Sequence, residues 1–227
     1  MKKKILSIVL FFILSTKVAA HTEHYKDLNV LEYELFRNNN SIGFHNYKFE
    51  RNKNYSSVKS RINFKIIKLG IELYRYNGTT EEKYEKNQLI KFLSNTNQNK
   101  KIKNTKIIFD KERDELIISG SENQLASPKE YLVGTWWNHE IIQAKAQISA
   151  VSGRIIEQKV TFLGKEKLNL YGKNYNALRF NLLSTDKNLP LKKKLDIDVW
   201  YEEDTNVWLK ASFIKNGNWE YRLKKID

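Results

Sequence analysis

The residues best suited to ligand binding lie together in the sequence GTWWNHEII, residues 134–142. Two adjacent Trp are followed by an Asn and by one of only four His in the chain. Indole rings form apolar or sugar-binding walls, while amide and imidazole groups can orient a ligand. The sequence therefore proposes Trp136, Trp137, Asn138 and His139 as a ligand-binding set, with His139 tuning binding between about pH 5 and 8.

A structural role for the same two Trp is the favoured alternative. Each Trp buries roughly 150–250 Å², so Trp136 and Trp137 could simply plug one end of the fold. Adjacent side chains of an extended segment point to opposite sides. At least one of the two rings is therefore predicted to be more than about 80% buried.

A second candidate for chemistry is the carboxylate row in LDIDVWYEED, residues 195–204. On a strand, Asp196 and Asp198 share one face and stand roughly 6–7 Å apart, near the separation that glycosidases use. A solvated strand face is the favoured interpretation. The alternative function is an envelope hydrolase, acting on carbohydrate, that uses Asp196 and Asp198 or His139.

Other catalytic and metal-binding signals are weak. A chain cleaved before His21 would present an amine and an imidazole three residues from His24, a copper-chelating arrangement, although a frayed terminus is favoured. The chain has no Cys, and it lacks the His-Glu-x-x-His, Gly-x-Ser-x-Gly and phosphate-loop motifs. The sequence assigns no catalytic residue, no metal and no cofactor, and it favours a non-catalytic protein.

Alternation of apolar and polar residues with a period of two is the main secondary-structure signal, and it predicts that β-strands position these residues. Val58, Ser60, Ile62, Phe64 and Ile66 alternate with polar residues, which predicts a strand with one dry face. Turn signals at Asn77-Gly78, Ser152-Gly153, Gly172 and Asn216-Gly217 separate such runs. The predicted fold is all-β, a curved antiparallel sheet forming a barrel or half-barrel, with a sandwich as the alternative.

One short helix is predicted at residues 128–133, immediately before the two Trp. Ser127 would cap it, Pro128 would occupy the first helical position and Glu130 the third. Gly134 would end it in the left-handed conformation.

The amino-terminal segment has the pattern of a signal peptide. Lys2, Lys3 and Lys4 precede an apolar run at residues 5–14, and small residues at 18–20 form a cleavage site. Ten apolar residues are too few to span a bilayer, so no stable membrane span is expected after cleavage. The predicted organisation is a cleaved signal peptide at 1–20 and a single exported β domain at 21–227. That domain would reside in the periplasm of a two-membrane bacterium, or otherwise be secreted.

The charge of the chain is strongly basic. The formal net charge is +14, which falls to +10 without residues 1–20 because these contain four Lys and no acidic residue. Nucleic acid is not expected as a partner, because an exported protein meets little of it. A basic face for anionic lipid or polysaccharide is the alternative that remains.

Several segments resemble a family of exported bacterial all-β proteins known only as a domain of unknown function. These segments are YELFRNNNSIGFHNYKFE, LYRYNGTTEEKYEKNQLIKFLSNTNQN, GTWWN, YGKNYNALRFNL and VWYEEDTNVWLKASFIKNGNWEYRL. The family is loosely similar to periplasmic lipoprotein-carrier half-barrels, in which a curved sheet surrounds an apolar cavity. The resemblance implies a fold and a compartment, and no catalytic residues. The expected function is binding of a lipid, another apolar or amphipathic ligand, or an envelope partner; the oligomeric state is left open.

Overall fold

The computed structural model describes residues 25–120, 124–190 and 193–227. The predicted signal peptide at 1–20 lies outside the described residues, as do His21 and His24.

The described chain forms one sheet of fifteen strands. The strands are β1 (Val30–Arg37), β2 (Asn40–Arg51), β3 (Ser56–Lys68), β4 (Ile71–Glu85), β5 (Gln88–Gln98), β6 (Lys101–Asp110), β7 (Glu115–Ser119), β8 (Gln124–Pro128), β9 (Leu132–Val133), β10 (Ala146–Ile148), β11 (Ile155–Leu170), β12 (Lys173–Ser184), β13 (Asp196–Glu202), β14 (Trp208–Ile214) and β15 (Asn218–Ile226). Their order in space is β8-β7-β6-β5-β4-β3-β2-β1-β15-β14-β13-β12-β11-β10-β9. Strand β9 pairs parallel to β10, and the other pairs are antiparallel. The prediction of an all-β antiparallel fold is confirmed.

The sheet curls around residues 134–144, which we call the inner segment. Side chains from well-separated strands reach it: Tyr47 on β2 and Tyr201 on β13 donate to the carbonyls of Thr135 and Trp136, at 2.7 and 2.9 Å. Gln158 on β11 donates to the carbonyls of Ile141 and Ala144. These bonds satisfy buried backbone acceptors of a segment that has no long ladder of its own.

Alternation accounts for which side chains face the inner segment. On β3, Val58, Ser60 and Phe64 are buried while Lys59 and Arg61 are not, as the sequence predicts. The same period places Tyr33 and Leu35 of β1 in the core. The core is rich in aromatic rings, which supply large apolar area between the curled strands.

The short helix predicted at residues 128–133 is wrong. Residues 124–128 form β8, where Ser127 and Pro128 pair with Leu116 and Glu115 of β7. Pro is tolerated there because β8 is an edge strand and needs no outward donor. Gly134 is not among the left-handed glycines; a Cβ there would collide with the amide oxygen of Gln147.

The helical turn that does form lies a few residues later, at His139–Ile142, and it is a 3₁₀ turn. Asn138 caps it, because its side-chain oxygen accepts from the Glu140 N–H at 3.1 Å. Among the described residues, no helix is long and apolar enough to cross a membrane.

Candidate functional site

Trp137 is a core residue that binds a buried carboxyl group. Its side chain is 1% exposed, and its indole N–H donates to Glu82 Oε1 at 2.8 Å. Tyr84 donates to Glu82 Oε2 at 2.5 Å. Burial raises the pKa of Glu82, although hydrogen bonds from Tyr84, Trp137 and Thr135 oppose that shift. The prediction that at least one Trp is deeply buried is confirmed.

Trp136 has a different environment and a strained backbone. Its φ is +56°, a conformation that bulky residues rarely adopt and that concentrates at functional sites. Its ring meets Trp208 and Tyr221 edge-on, with centroids 5.7 and 5.8 Å away. Its indole nitrogen is buried and has no hydrogen-bond partner within the described part of the chain.

A cavity of about 120 Å³ lies beside Trp136, inside the curled sheet. Aromatic side chains and small polar groups line it together. The lining includes His45, Tyr47, Ser60, Tyr76, Thr80, Thr96, Ala150, Val151 and Tyr221. At roughly 30 Å³ per water in the liquid, the space suits a small chemical group or a few methylenes rather than a whole lipid chain.

His45 is the one basic side chain among the described residues that line this cavity. Its Nε2 lies 3.3 Å from Ser60 Oγ, and its Nδ1 lies 3.5 Å from Tyr47 Oη. Burial lowers the pKa of His45 to about 3, because the charged imidazolium would lose its hydration. His45 is therefore neutral near pH 7 and provides a polar, uncharged contact.

Asn138 and His139 do not reach this cavity. Asn138 caps the 3₁₀ turn, and His139 is buried with its Nδ1 2.9 Å from Tyr25 Oη. Tyr25 also accepts from the His139 backbone N–H and donates to the carbonyl of Asn206. The hypothesis that His139 orients a ligand therefore finds no support in the geometry.

The four residues proposed from the sequence separate into two roles. Trp137 packs against Tyr25, Phe49 and Tyr84 at one end of the curled sheet, as expected for a plug. Trp136 faces the cavity instead. Sequence reasoning missed His45, although alternation with the buried Tyr47 and Phe49 was a signal that it faces inward.

A larger cleft opens at the end of the sheet near residues 149–154. Its volume is about 580 Å³, and Val151 lines both this cleft and the cavity. Its floor is apolar and includes Ile156, Leu195 and Phe213. Its cationic groups are Lys103, Arg154, Lys193, Lys194 and Lys215, with Asp196 as its one carboxylate.

The carboxylate row lies outside the curled sheet. Asp198 forms an ion pair with Arg179 at 2.5 Å, and the Asn181 amide donates to both Asp196 and Asp198. On the same face, Arg179 and Lys210 each lie over the Trp200 ring, with 4.9 Å to its centroid. Leu195, Ile197, Val199 and Tyr201 are buried on the other face, as predicted. Asp198 is thus held in an ion pair, while Asp196 also lines the cleft described above.

No group of three or more metal-ligating side chains occurs among residues 25–120, 124–190 and 193–227. The cavity is lined by aromatic, aliphatic and small polar side chains.

The fold and the cavity define a class of protein: an all-β, barrel-like protein in which a curled sheet encloses an aromatic interior. The chain belongs to the family described as domain of unknown function DUF6134, whose model matches residues 33–224.

One solved structure supports this fold. The chain is similar to a β-barrel-like protein of domain of unknown function DUF1849 from Brucella abortus, with a TM-score of 0.60 and 12% identity, covering 87% of this chain and 95% of that one. It also aligns with an exported-protein candidate of YmcC-like fold from Bacteroides fragilis, with a TM-score of 0.37 and 7% identity, over 87% and 94% of the two chains. No curated protein matches the sequence. The expected membership in a family of unknown function is confirmed.

Proposed function

We propose that this protein is a non-catalytic, exported binding protein that holds the apolar part of an amphipathic ligand against Trp136. The observation that carries the proposal is the cavity beside a Trp whose backbone is held at φ +56°. Strain of this kind costs on the order of 1–3 kcal/mol and persists where the surrounding structure requires it.

The adjoining cleft supports an amphipathic rather than a purely apolar ligand. Val151 lies between the cavity and the cleft, so a ligand could place its apolar part inside and a polar end among Lys103, Lys194 and Lys215. Cationic side chains around an apolar floor complement an anionic amphiphile.

Export rests on the sequence of residues 1–20 and on the absence of Cys from the chain. A measured intact mass that includes residues 1–20 in secreted protein would contradict it.

The rival function, a carbohydrate-active hydrolase, has less support. Asp198 is neutralised by Arg179, and His139 is bound to Tyr25 in the core. Hydrolysis needs an acid and a base that meet at the substrate.

The binding proposal is tested by filling the cavity with Ala150→Phe. Native mass spectrometry of protein purified from its own envelope should show a co-purified small molecule with the parent protein and at least about tenfold less with the variant, since a ring cannot share the space with a ligand. The matched control is Ala126→Phe, which adds the same ring at an exposed position of β8.

Ligand occupancy should be compared between the two variants and the parent at temperatures where all three are equally folded, as measured by thermal unfolding. Equal ligand occupancy in Ala150→Phe and the parent protein would exclude the cavity as the binding site. Absence of any co-purified molecule from the parent protein would argue against the proposal as a whole.

A further inference from the structure

The hairpin between β3 and β4 projects beyond the rest of the sheet. Pairing of β3 with β2 stops at Phe64, and pairing of β4 with β5 starts at Tyr76. Residues 65–75 therefore form ladder pairs only with each other within the described sheet. Asn99 adds hydrogen bonds to Leu73 and Arg75 at the base of this segment. We call residues 65–75 the hairpin arm.

The arm has apolar side chains at exposed positions, where they bury little surface and add little to the stability of the fold. Leu69, at its tip, is 92% exposed, and Ile67, Ile71 and Leu73 are each more than half exposed. Contiguous exposed apolar residues usually mark a surface that contacts a partner or a membrane.

The turn chemistry of the arm makes Leu69 more unusual. Leu69 and Gly70 have φ of +52° and +78°, the conformation of a two-residue turn in which Asn, Asp and Gly are preferred. The β1–β2 turn of this chain uses Asn38-Asn39 in that conformation. Tyr171-Gly172 of the β11–β12 turn has it too, but there the Tyr171 hydroxyl donates to Glu34 at 2.7 Å. A Leu at the tip therefore costs backbone strain as well as exposure, and it makes no core contact in return.

The arm lies at the basic end of the molecule. The β1–β2, β3–β4 and β5–β6 turns share this end because the strands form an antiparallel meander, and the β14–β15 turn joins them because Arg37 pairs with Trp219. Cationic side chains at this end include Lys65, Lys68, Lys100, Lys101, Lys103 and Lys215. A second aliphatic residue at this end, Ile214, is 84% exposed.

At the opposite end, acidic and basic side chains alternate along the turns and form ion pairs, whereas the arm has one acidic side chain, Glu72, which pairs with Arg75. Glu85 pairs with Lys111, and Asp114 pairs with Lys129. The two ends therefore differ in electrostatic potential, and an anionic surface would orient the molecule with the arm towards it.

We propose that the hairpin arm docks this protein onto an anionic lipid bilayer surface, with Leu69 and Ile71 entering the interface and Lys65 and Lys68 facing the headgroups. Aliphatic residues gain free energy by leaving water, while Lys stems follow them and keep their ammonium groups at the polar surface. Each Lys near an anionic leaflet adds attraction that salt screens. The proposal does not depend on the cavity, so Ala150→Phe protein should bind vesicles as the parent does.

The test uses co-sedimentation of the purified protein with phosphatidylcholine vesicles, with and without phosphatidylglycerol. We expect binding to the anionic vesicles that weakens with added salt and is much weaker on phosphatidylcholine alone. Leu69→Asn should reduce binding by at least about tenfold, since it removes the apolar tip. Asn suits the left-handed turn, so this variant should fold at least as well as the parent.

The matched control is Leu163→Asn, the same change at an exposed Leu on β11, a strand that does not pair with β3 or β4. It should leave vesicle binding unchanged. Lys65→Gln with Lys68→Gln should remove much of the preference for anionic vesicles. Equal binding by Leu69→Asn and the parent would overturn the proposal, and so would a parent protein that binds neither vesicle type. Self-association that Leu69→Asn abolishes, without vesicle binding, would assign the arm to contact with a second copy and would also overturn it.

Discussion

Replacing Trp137 with Ala should lower the free energy of unfolding by about 3–5 kcal/mol, the usual cost of removing a buried Trp. The cost should lie in the upper part of that range, because Glu82 Oε1 loses its indole donor inside the core. Urea unfolding followed by far-ultraviolet circular dichroism measures this change. A loss below about 1.5 kcal/mol would mean that the ring is not the plug that its burial indicates.

A matched pair of Phe substitutions separates packing from hydrogen bonding at the same two positions. Trp137→Phe leaves a buried carboxyl oxygen without that donor, which should cost about 1–3 kcal/mol beyond the lost volume. Trp136→Phe removes an indole N–H that has no partner among the described residues, so it carries no such penalty. Equal losses in the two variants would contradict the different environments of the two rings.

The sheet was predictable because the patterns that indicate strands and turns lie within short stretches of sequence. In a half-buried strand, every second side chain faces the core, as Val58, Ser60 and Phe64 do. Antiparallel neighbours follow each other in the sequence through short turns. The helix prediction failed for a related reason. Capping signals at Ser127 and Pro128 are equally local, but β7 provides those residues with a strand to pair with, which the local pattern does not show. Asn138 then provides the cap chemistry at a different position.

Turn signals also failed where packing decided the outcome. Asn77-Gly78 predicts a hairpin turn, yet both residues lie within β4. A Cβ on Gly78 would press against the Ile62 side chain and the Tyr76 ring, so this Gly provides close approach rather than a turn. The β3–β4 chain reversal occurs instead at Leu69-Gly70, where the dipeptide is a poor match to the turn preferences.

The candidate site was only half predictable. Alternation predicted that at least one Trp would be deeply buried, and Trp137 is. It assumed an extended segment, whereas Trp136 adopts a positive φ beside carbonyls that accept hydrogen bonds from Tyr47 and Tyr201. His45 was not predicted, although its alternation with Tyr47 and Phe49 is compatible with an inward-facing side chain. That β2, β3, β4 and the inner segment would meet to form a cavity there is a property of long-range packing, which no local pattern contains.

The stability of the protein should fall in mild acid because of His45. The folded pKa is about 3, below the usual value of 6.5, so below pH 6.5 the unfolded chain binds a proton that the folded protein excludes. Stability from this group is complete above the unfolded pKa and declines as the pH falls towards the folded pKa. Between pH 7 and 4.5 the decline should be about 2–3 kcal/mol from His45 alone.

His45→Gln should remove that decline while keeping a neutral polar group beside Ser60, so its free energy of unfolding should change less between pH 7 and 4.5 than that of the parent.

Glu82 changes the stability with pH in the opposite direction. Its raised pKa means that the folded protein takes up a proton more readily than the unfolded chain, so its contribution to stability grows as the pH falls. Glu82→Gln should therefore make the acid-side loss steeper, whereas His45→Gln should make it shallower. Urea unfolding at a series of pH values distinguishes the two, and parallel stability curves for His45→Gln and the parent would show that His45 is hydrated and titrates normally inside the cavity.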